Sequence, residues 1–461
     1  MLYHILKYFF IFLVKVFYRR IHVGYKERVS RKGPIILASN HPNTLMDPLL
    51  VALLSGRNPH FLGKSTLFKN VIAKIFLRSV HVLPVYRKQD AEADMGKNAD
   101  IFEKCFQSLE AGKAIVIMPE GISQMDGTLH EIKTGTARIG LGAELRNAFE
   151  LGVQIIPAGI NYSSPTEFFS DVHCRFGRPI DLRDYQDLYE KDEYEAVYQV
   201  TNQIRDALEK LTTTVQSSET AEVLDNLRMI YKLELAVDQG LQEELKQHDF
   251  SVTRGMADAI NWYHEHHPES FEVLSSQMDR YLAKIEGLEL RDDLLSTVHG
   301  QKTFVGRVLG LFGVILGLPI YLWGLINNFL AYRVPALLVK TLGTSQEYLS
   351  TFKMLSGALI FSLFYTLQTG TVWYLTHSSA WTAVYLVSLV PTGRFALYYH
   401  DTMQRYRQHL RIFTLFIKRK TLMYEIIQER MVLIEALDAA KNQYMNRDEP
   451  EADQTSNNLA D

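Results

Sequence analysis

Cysteine is scarce in this chain: Cys105 and Cys174 are the two in 461 residues. One pair cannot build the disulfide framework of a small secreted domain, so the two thiols fit a reducing compartment or plain core packing. Net charge is missing too. Lys and Arg number 49 against 52 Asp and Glu, a formal −3. No global basic field is therefore available to hold nucleic acid. Familiar motifs are also absent. No serine sits in a Gly-x-Ser-x-Gly elbow. In GRNPHFLGKS (56–65) six residues separate the glycines, where a Walker loop needs about four. HEHHP (264–268) lacks the His-Glu-x-x-His spacing of a zinc helix and reads as a helix end. There is no internal repeat.

Long apolar runs, by contrast, are plentiful. VLGLFGVILGLPIYLWGLINNFLA (308–331) carries no charge and is long enough to cross a bilayer. MLSGALIFSLFYTLQTGTVWYL (354–375) is a second span. AWTAVYLVSLVPTGRFALYY (380–399) holds Pro391 and Arg394. An arginine is costly at mid-bilayer, so this third run is expected to be re-entrant or interfacial rather than a crossing. Residues 2–18, LYHILKYFFIFLVKVFY, are interrupted by Lys7 and Lys15 and followed by Arg19-Arg20, with no small-residue cleavage site. They read as a helix lying in or dipping into the membrane surface, a spanning anchor being the alternative. The cations Arg405, Arg407, Arg411, Lys418, Arg419 and Lys420 follow the last run. Basic flanks stay on the cytoplasmic side, which with two crossings places the polar N-terminal part there too. The expectation is an integral membrane protein in contact with membrane lipids.

Residues 21 to about 180 alternate apolar strands (GPIILAS, HFLGK, HVLPVYR, KAIVIMPE, VQIIPAGIN) with helical stretches near 90–110 and 134–148, which argues for an α/β domain. The expected order is a membrane-associated helix (1–20), an α/β domain (21–215), a helical region (216–302), a transmembrane region (303–400), an amphipathic helix (401–446) and a disordered acidic tail (447–461).

The chemistry concentrates at SNHPNTLMDP (39–48), directly after the apolar run PIILA. Acyl transfer to an alcohol needs a base for the hydroxyl proton, and histidine titrates near neutrality. A carboxylate on its other nitrogen holds the useful tautomer and stabilises the imidazolium. His41 and Asp47 supply that pair, with the acceptor alcohol itself as nucleophile. The plain alternative is a capping Asn-His turn with Asp47 facing water. Asn40 and Asn43 would brace the turn.

Further blocks accompany it: FLGKSTLF (61–68), HVLPVYRKQD (81–90), MPEGISQMDG (118–127), KTGTARIGLGAE (133–144) and IIPAGINY (155–162). In order and spacing they resemble the membrane-bound glycerophospholipid acyltransferases over roughly residues 20–215: a His-Asp block, a basic block ending in Arg, a Pro-Glu-Gly block and a strand ending in Pro. Five residues separate His41 from Asp47, and Ile122-Ser123-Gln124 follow Pro-Glu-Gly where that family usually has Thr-Arg-Ser. Both departures look like the fungal-type glycerol-3-phosphate and dihydroxyacetone-phosphate acyltransferases. The resemblance implies an α/β acyltransferase domain, a mixed sheet flanked by helices. It implies acyl-CoA or acyl carrier protein as donor and glycerol 3-phosphate as acceptor, with no metal or redox cofactor. Arg87 closes the second block as a phosphate ligand. Lys133 and Arg138 add positive potential, and Lys64 is a further candidate whose alternative is a solvated surface cation. Glu120 would bind acceptor hydroxyls or fix its loop, and Gly121 would let backbone approach the ligand. Backbone donors near these turns would hold the oxyanion. The rival readings are acylation of 1-acylglycerol 3-phosphate or another lipid, and a silent membrane scaffold.

Overall fold

The computed structural model describes residues 2–85, 98–232, 234–235, 245–296, 304–341 and 346–447. It divides into two compact units, residues 1–214 with 332–362, and residues 215–331 with 363–461.

The first unit is built on an eight-stranded mixed sheet. Its strands are β1 (Arg20–Gly24), β2 (Ile35–Ser39), β3 (His60–Lys64), β4 (Val82–Val85), β5 (Ala114–Ile117), β6 (Gln154–Tyr162), β7 (Asp171–Phe176) and β8 (Ile180–Asp181). They lie in the order β1-β7-β6-β2-β5-β3-β4, with β8 on β6. The strands β6, β2, β5, β3 and β4 run parallel. β7 and β8 are antiparallel to β6, and β1 is parallel to β7. The expected strands are all present. β1, β7 and β8 are additions that the apolar runs do not announce.

The helices of this unit are α1 (Leu2–Phe17), α2 (Met46–Ser55), α3 (Val71–Ser79), α4 (Asn98–Glu110), α5 (Gly135–Arg146), α6 (Gln186–Lys191) and α7 (Glu193–Leu211). Side chains of a strand alternate between faces, and here both faces are covered, so the parallel strands read as continuous apolar runs. Ile36, Ala38, Ile115 and Ile117 pack with Cys105 of α4, Ala137 and Leu141 of α5 and Val200 and Ile204 of α7. Their neighbours Ile35, Leu37, Ala114 and Val116 pack on the other face with Val14 and Phe17 of α1, Leu50 and Val51 of α2, and Cys174. The two cysteines therefore sit in opposite layers. Burial pushes each thiol up to about 12, which suits core packing. The pair Arg19-Arg20 clamps Asp171 at the start of β7, with Nη2–Oδ2 distances of 2.7 and 2.5 Å.

In this arrangement the chain leaving β2 re-enters the sheet at β3, on one side, and the chain leaving β5 re-enters at β6, on the other. The first connection runs through α2 on one face of the sheet and the second through α5 on the other, and ligands of open α/β sheets bind at the carboxyl ends of strands whose connections leave to opposite faces. The ends of β2 and β5 carry the His41 and Glu120 turns.

The second unit is helical: α8 (Ser218–Ile230), α9 (Leu245–His266), α10 (Pro268–Gly287), α11 (Asp292–Ser296), parts of α12 (Phe304–Thr341) and α13 (Leu349–Thr376), and the whole of α14 (Ser379–Lys418) and α15 (Lys420–Met445). Arg430 of α15 is buried and bridges Asp292 at 2.8 Å and Glu234 at 3.0 Å, so this charge is neutralised inside the unit. HEHHP is a helix boundary, with α9 ending at His266 and α10 starting at Pro268.

Among the described residues, two helices are long and apolar enough to cross a membrane, Val314–Thr341 and Leu349–Thr376. Inside the second unit polar groups tie α12 to both α13 and α14: Tyr365 donates to Asn328 at 2.6 Å and Tyr385 to Asn327 at 2.5 Å. A methyl on Gly324 would meet the carbonyl oxygen of Thr392 at 2.2 Å, so only glycine permits this approach of α12 to α14. For the third apolar run, the re-entrant form of the sequence expectation is corrected. The run does not turn back at Pro391. α14 is one 40-residue helix with Pro391 inside it. The ring removes one ladder bond, yet the helix continues. Asn328 donates to the Leu389 carbonyl beside it, at 3.4 Å, and Thr392 bonds back to Ser388 at 2.7 Å.

Candidate active site

β2 stops at Ser39, and Asn40 takes over its hydrogen bonding. Its side chain donates to the Ile160 carbonyl at 2.9 Å and accepts from the Ile160 N–H at 2.8 Å. The turn after β2 is thereby fixed to β6. Asp47 stands in the first turn of α2, where the helix dipole favours a carboxylate. His41 Nδ1 lies 3.0 Å from Asp47 Oδ2. A carboxylate can only accept, so the imidazole carries its proton on Nδ1 and leaves Nε2 free. Asp47 is wholly buried and His41 keeps 18% of its side-chain surface exposed. The plain reading of an aspartate facing water therefore does not hold.

Two more donors converge on Asp47. The Asn43 N–H reaches Oδ2 at 2.6 Å, and the Tyr162 hydroxyl reaches Oδ1 at 2.5 Å. Burial and the nearby Asp47 charge raise the Tyr162 phenol well above its usual value, so it stays a donor. Asn43 donates to the Pro165 carbonyl at 2.9 Å and to Ser350 at 3.3 Å. Ser350 and Thr351 come from the first turn of α13, more than 300 positions on; Thr351 Oγ1 stands 3.4 Å from Thr44 Oγ1.

The Pro-Glu-Gly turn locks onto this one. Glu120 is buried and accepts the His41 N–H at 2.8 Å on one oxygen and the His130 N–H at 3.0 Å on the other. Burial raises its carboxyl, against the pull of those two donors. Ser123 accepts the Thr44 N–H at 2.9 Å. The backbone donors of His41, Asn43, Thr44 and Gly121 are thus engaged by Glu120, Asp47, Ser123 and the Met118 carbonyl. An oxyanion would have to draw on other groups of these turns.

Lys133 belongs to the same assembly. Gly121 has φ +68, and a β-carbon there would meet Lys133 Nζ at 2.9 Å, so the ammonium lies directly over the glycine. Lys64 ends β3 on the same edge of the sheet and is partly buried. Arg138 is exposed on α5, and its charge bears on Tyr189 of α6. Arg87 lies outside the described residues. Tyr162, Ser123 and Ser350 were not among the sequence candidates. Tyr162 offered one signal, a phenol closing an apolar strand; Ser350 offered none.

The Acyltransferase family model matches residues 20–161. An uncharacterized acyltransferase of Schizosaccharomyces pombe is 24% identical over 306 residues, 48% of this chain and 45% of that one. Glycerol-3-phosphate O-acyltransferase 1 of Saccharomyces cerevisiae is 23% identical over 307 residues, 62% of this chain and 39% of that one. Glycerol-3-phosphate O-acyltransferase 2 of the same yeast is 27% identical over 136 residues, 29% and 18% of the two chains. The chain thus spans less than half the length of each of these relatives. Among solved structures, the 1-acyl-sn-glycerophosphate acyltransferase PlsC of Thermotoga maritima aligns with 44% of this chain and 79% of its own, at 18% identity and a TM-score of 0.30. Residues 20–161 match the Acyltransferase family model, and the chain is similar at low identity to yeast glycerol-3-phosphate O-acyltransferases.

Proposed function

We propose that the protein transfers a fatty acyl group from acyl-CoA or acyl carrier protein to the sn-1 hydroxyl of glycerol 3-phosphate, with dihydroxyacetone phosphate as a second acceptor. The observation that carries the reading is the buried Asp47 holding His41 through Nδ1 at 3.0 Å at the carboxyl edge of the sheet. The yeast relatives named for glycerol 3-phosphate support the acceptor.

In this reaction the acceptor hydroxyl oxygen attacks the thioester carbonyl carbon. His41 Nε2 takes the hydroxyl proton, and Asp47 stabilises the imidazolium that forms. The tetrahedral intermediate collapses, the carbon–sulfur bond breaks, and the imidazolium returns its proton to the leaving thiolate. The products are the ester and the free thiol of the carrier. No step passes through a metal or redox group. Arg87 holds the acceptor phosphate, with Lys133 or Arg138 and, more remotely, Lys64 adding positive potential. Glu120 keeps the two turns in register. The catalytic domain faces the cytoplasm, on the side of the basic residues that flank the last apolar helix.

The test offers purified full-length protein each acceptor in turn with labelled acyl-CoA. The expected outcome is faster esterification of glycerol 3-phosphate than of 1-acylglycerol 3-phosphate. Acylation of the latter alone would overturn the acceptor assignment and leave the acyl-transfer chemistry standing.

A further inference from the structure

The segment that leaves β3 presents an apolar stripe to the outside. Leu67, Val71 and Ile75 are 52%, 70% and 66% exposed, and Phe76 is 42% exposed. They stand on the 3-10 turn Ser65–Phe68 and on α3. Val71 and Ile75 are four residues apart and so share one side of α3, and Leu67 is exposed on the 3-10 turn just before it. Lys69, Lys74 and Arg78 are exposed around that stripe. From Phe61 to Val85 the sequence holds Lys64, Lys69, Lys74 and Arg78 and no carboxylate, in a chain whose overall charge is −3.

We infer that residues 67–79 form an interfacial anchor that lies on the anionic lipid surface of the bilayer. An amphipathic helix with aliphatic and aromatic side chains on one side and cations beside them suits the headgroup–acyl boundary. The cations would meet anionic headgroups while the stripe leaves water. A protein partner fits less well, because lysine is depleted from the cores of protein interfaces. A bilayer is also available to this unit. It contains Tyr332–Ser362, and so one end of each helix long enough to cross a membrane. The segment begins at Lys64, the carboxyl end of β3, on the edge that carries the His41 turn. Docking it would hold that edge at headgroup level, where an amphiphilic donor or product enters and leaves. This inference stands whichever acceptor the enzyme uses.

The experiment places an environment-sensitive fluorophore on Ile75→Cys, and separately on Val71→Cys, in full-length protein reconstituted in nanodiscs. Leu145→Cys, on an exposed leucine of α5, is the reference. Cys105 and Cys174 are buried. The discs contain zwitterionic lipid alone or with phosphatidylglycerol, each with and without doxyl-labelled lipid. The expected result is a blue-shifted emission at positions 71 and 75, quenched several-fold more by doxyl lipid than at 145. The quenching should deepen with phosphatidylglycerol and weaken when Lys69, Lys74 and Arg78 are changed to Gln. Equal quenching at 71, 75 and 145 would overturn the inference. So would a blue shift at 71 and 75 without doxyl quenching, which would show a protein surface covering the stripe.

Discussion

Tyr162, at the end of β6, donates its hydroxyl to Asp47 Oδ1 at 2.5 Å. Asp47 thereby meets three donors with two oxygens, and one of them is the imidazole proposed as the base. Tyr162→Phe keeps the ring packing and removes that donor. A buried acceptor left short of a partner costs about 1–3 kcal/mol, so the variant should be less stable by that order. The carboxylate would also be free to rotate away from His41. The expected kinetic signature is a lowered kcat with both KM values little changed. A wild-type kcat in this variant would make the contact purely structural.

Phosphate recognition should separate from catalysis. Arg87→Ala should raise the KM for glycerol 3-phosphate and leave that for acyl-CoA close to its original value, and Arg87→Lys should restore it only in part, because an ammonium lacks the guanidinium fork. Gly121→Ala should share the acceptor defect. Its φ of +68 disfavours alanine, and the new methyl displaces the Lys133 ammonium. Equal changes in both KM values would assign these positions to folding.

The site was half legible. His41 and Asp47 follow from a polar turn closing the apolar run PIILA, and the Pro-Glu-Gly turn from the same logic at β5. That Asp47 is buried was not legible, because it depends on β6 lying beside β2, which brings in Tyr162 and lets Asn40 pair with Ile160. Register between strands more than 100 residues apart is a tertiary fact. Ser350 and Thr351 are more remote still. β7 was missed although its period of two is present: Val172, Cys174 and Phe176 face inward, while His173 and Arg175 break the apolar run. At Pro391 a local rule failed in the other direction, since neighbouring side chains carry the helix through.

Acid should release a specific clamp. Burial pushes Asp171 up, but Arg19 and Arg20 outweigh it and hold the carboxyl at about 2, below its ordinary 3.8. The folded value is the lower one, so its stabilisation is present above the unfolded pKa and is lost as pH falls through the folded one. The two arginines are 43% and 36% exposed, and solvent screening limits the gain to about 1 kcal/mol. Asp171→Asn should therefore be less stable near neutrality, and the gap should begin to close below about pH 4. Denaturation curves against pH measure this; a gap independent of pH would contradict it.

The sidedness of the C-terminal helices can be read with an impermeant thiol reagent. With Val314–Thr341 and Leu349–Thr376 as the two crossings, a cysteine introduced at position 410 should be protected in intact cells and labelled after permeabilisation. Labelling as ready as that of an extracytoplasmic control would require a third crossing and would put the basic stretch 405–420 on the opposite face from the catalytic domain.

The role of His41 is tested most directly by the initial rate of acyl transfer to glycerol 3-phosphate in His41→Ala beside the wild type, with membrane insertion and thermal stability measured on the same preparations. His41 is partly exposed and its backbone N–H, not its ring, bonds Glu120, so the variant should insert and fold. The rate should fall by at least about 10²-fold, the usual contribution of a positioned base. Turnover near the wild-type rate in a folded His41→Ala protein would remove the His41–Asp47 pair from the chemistry and contradict the account.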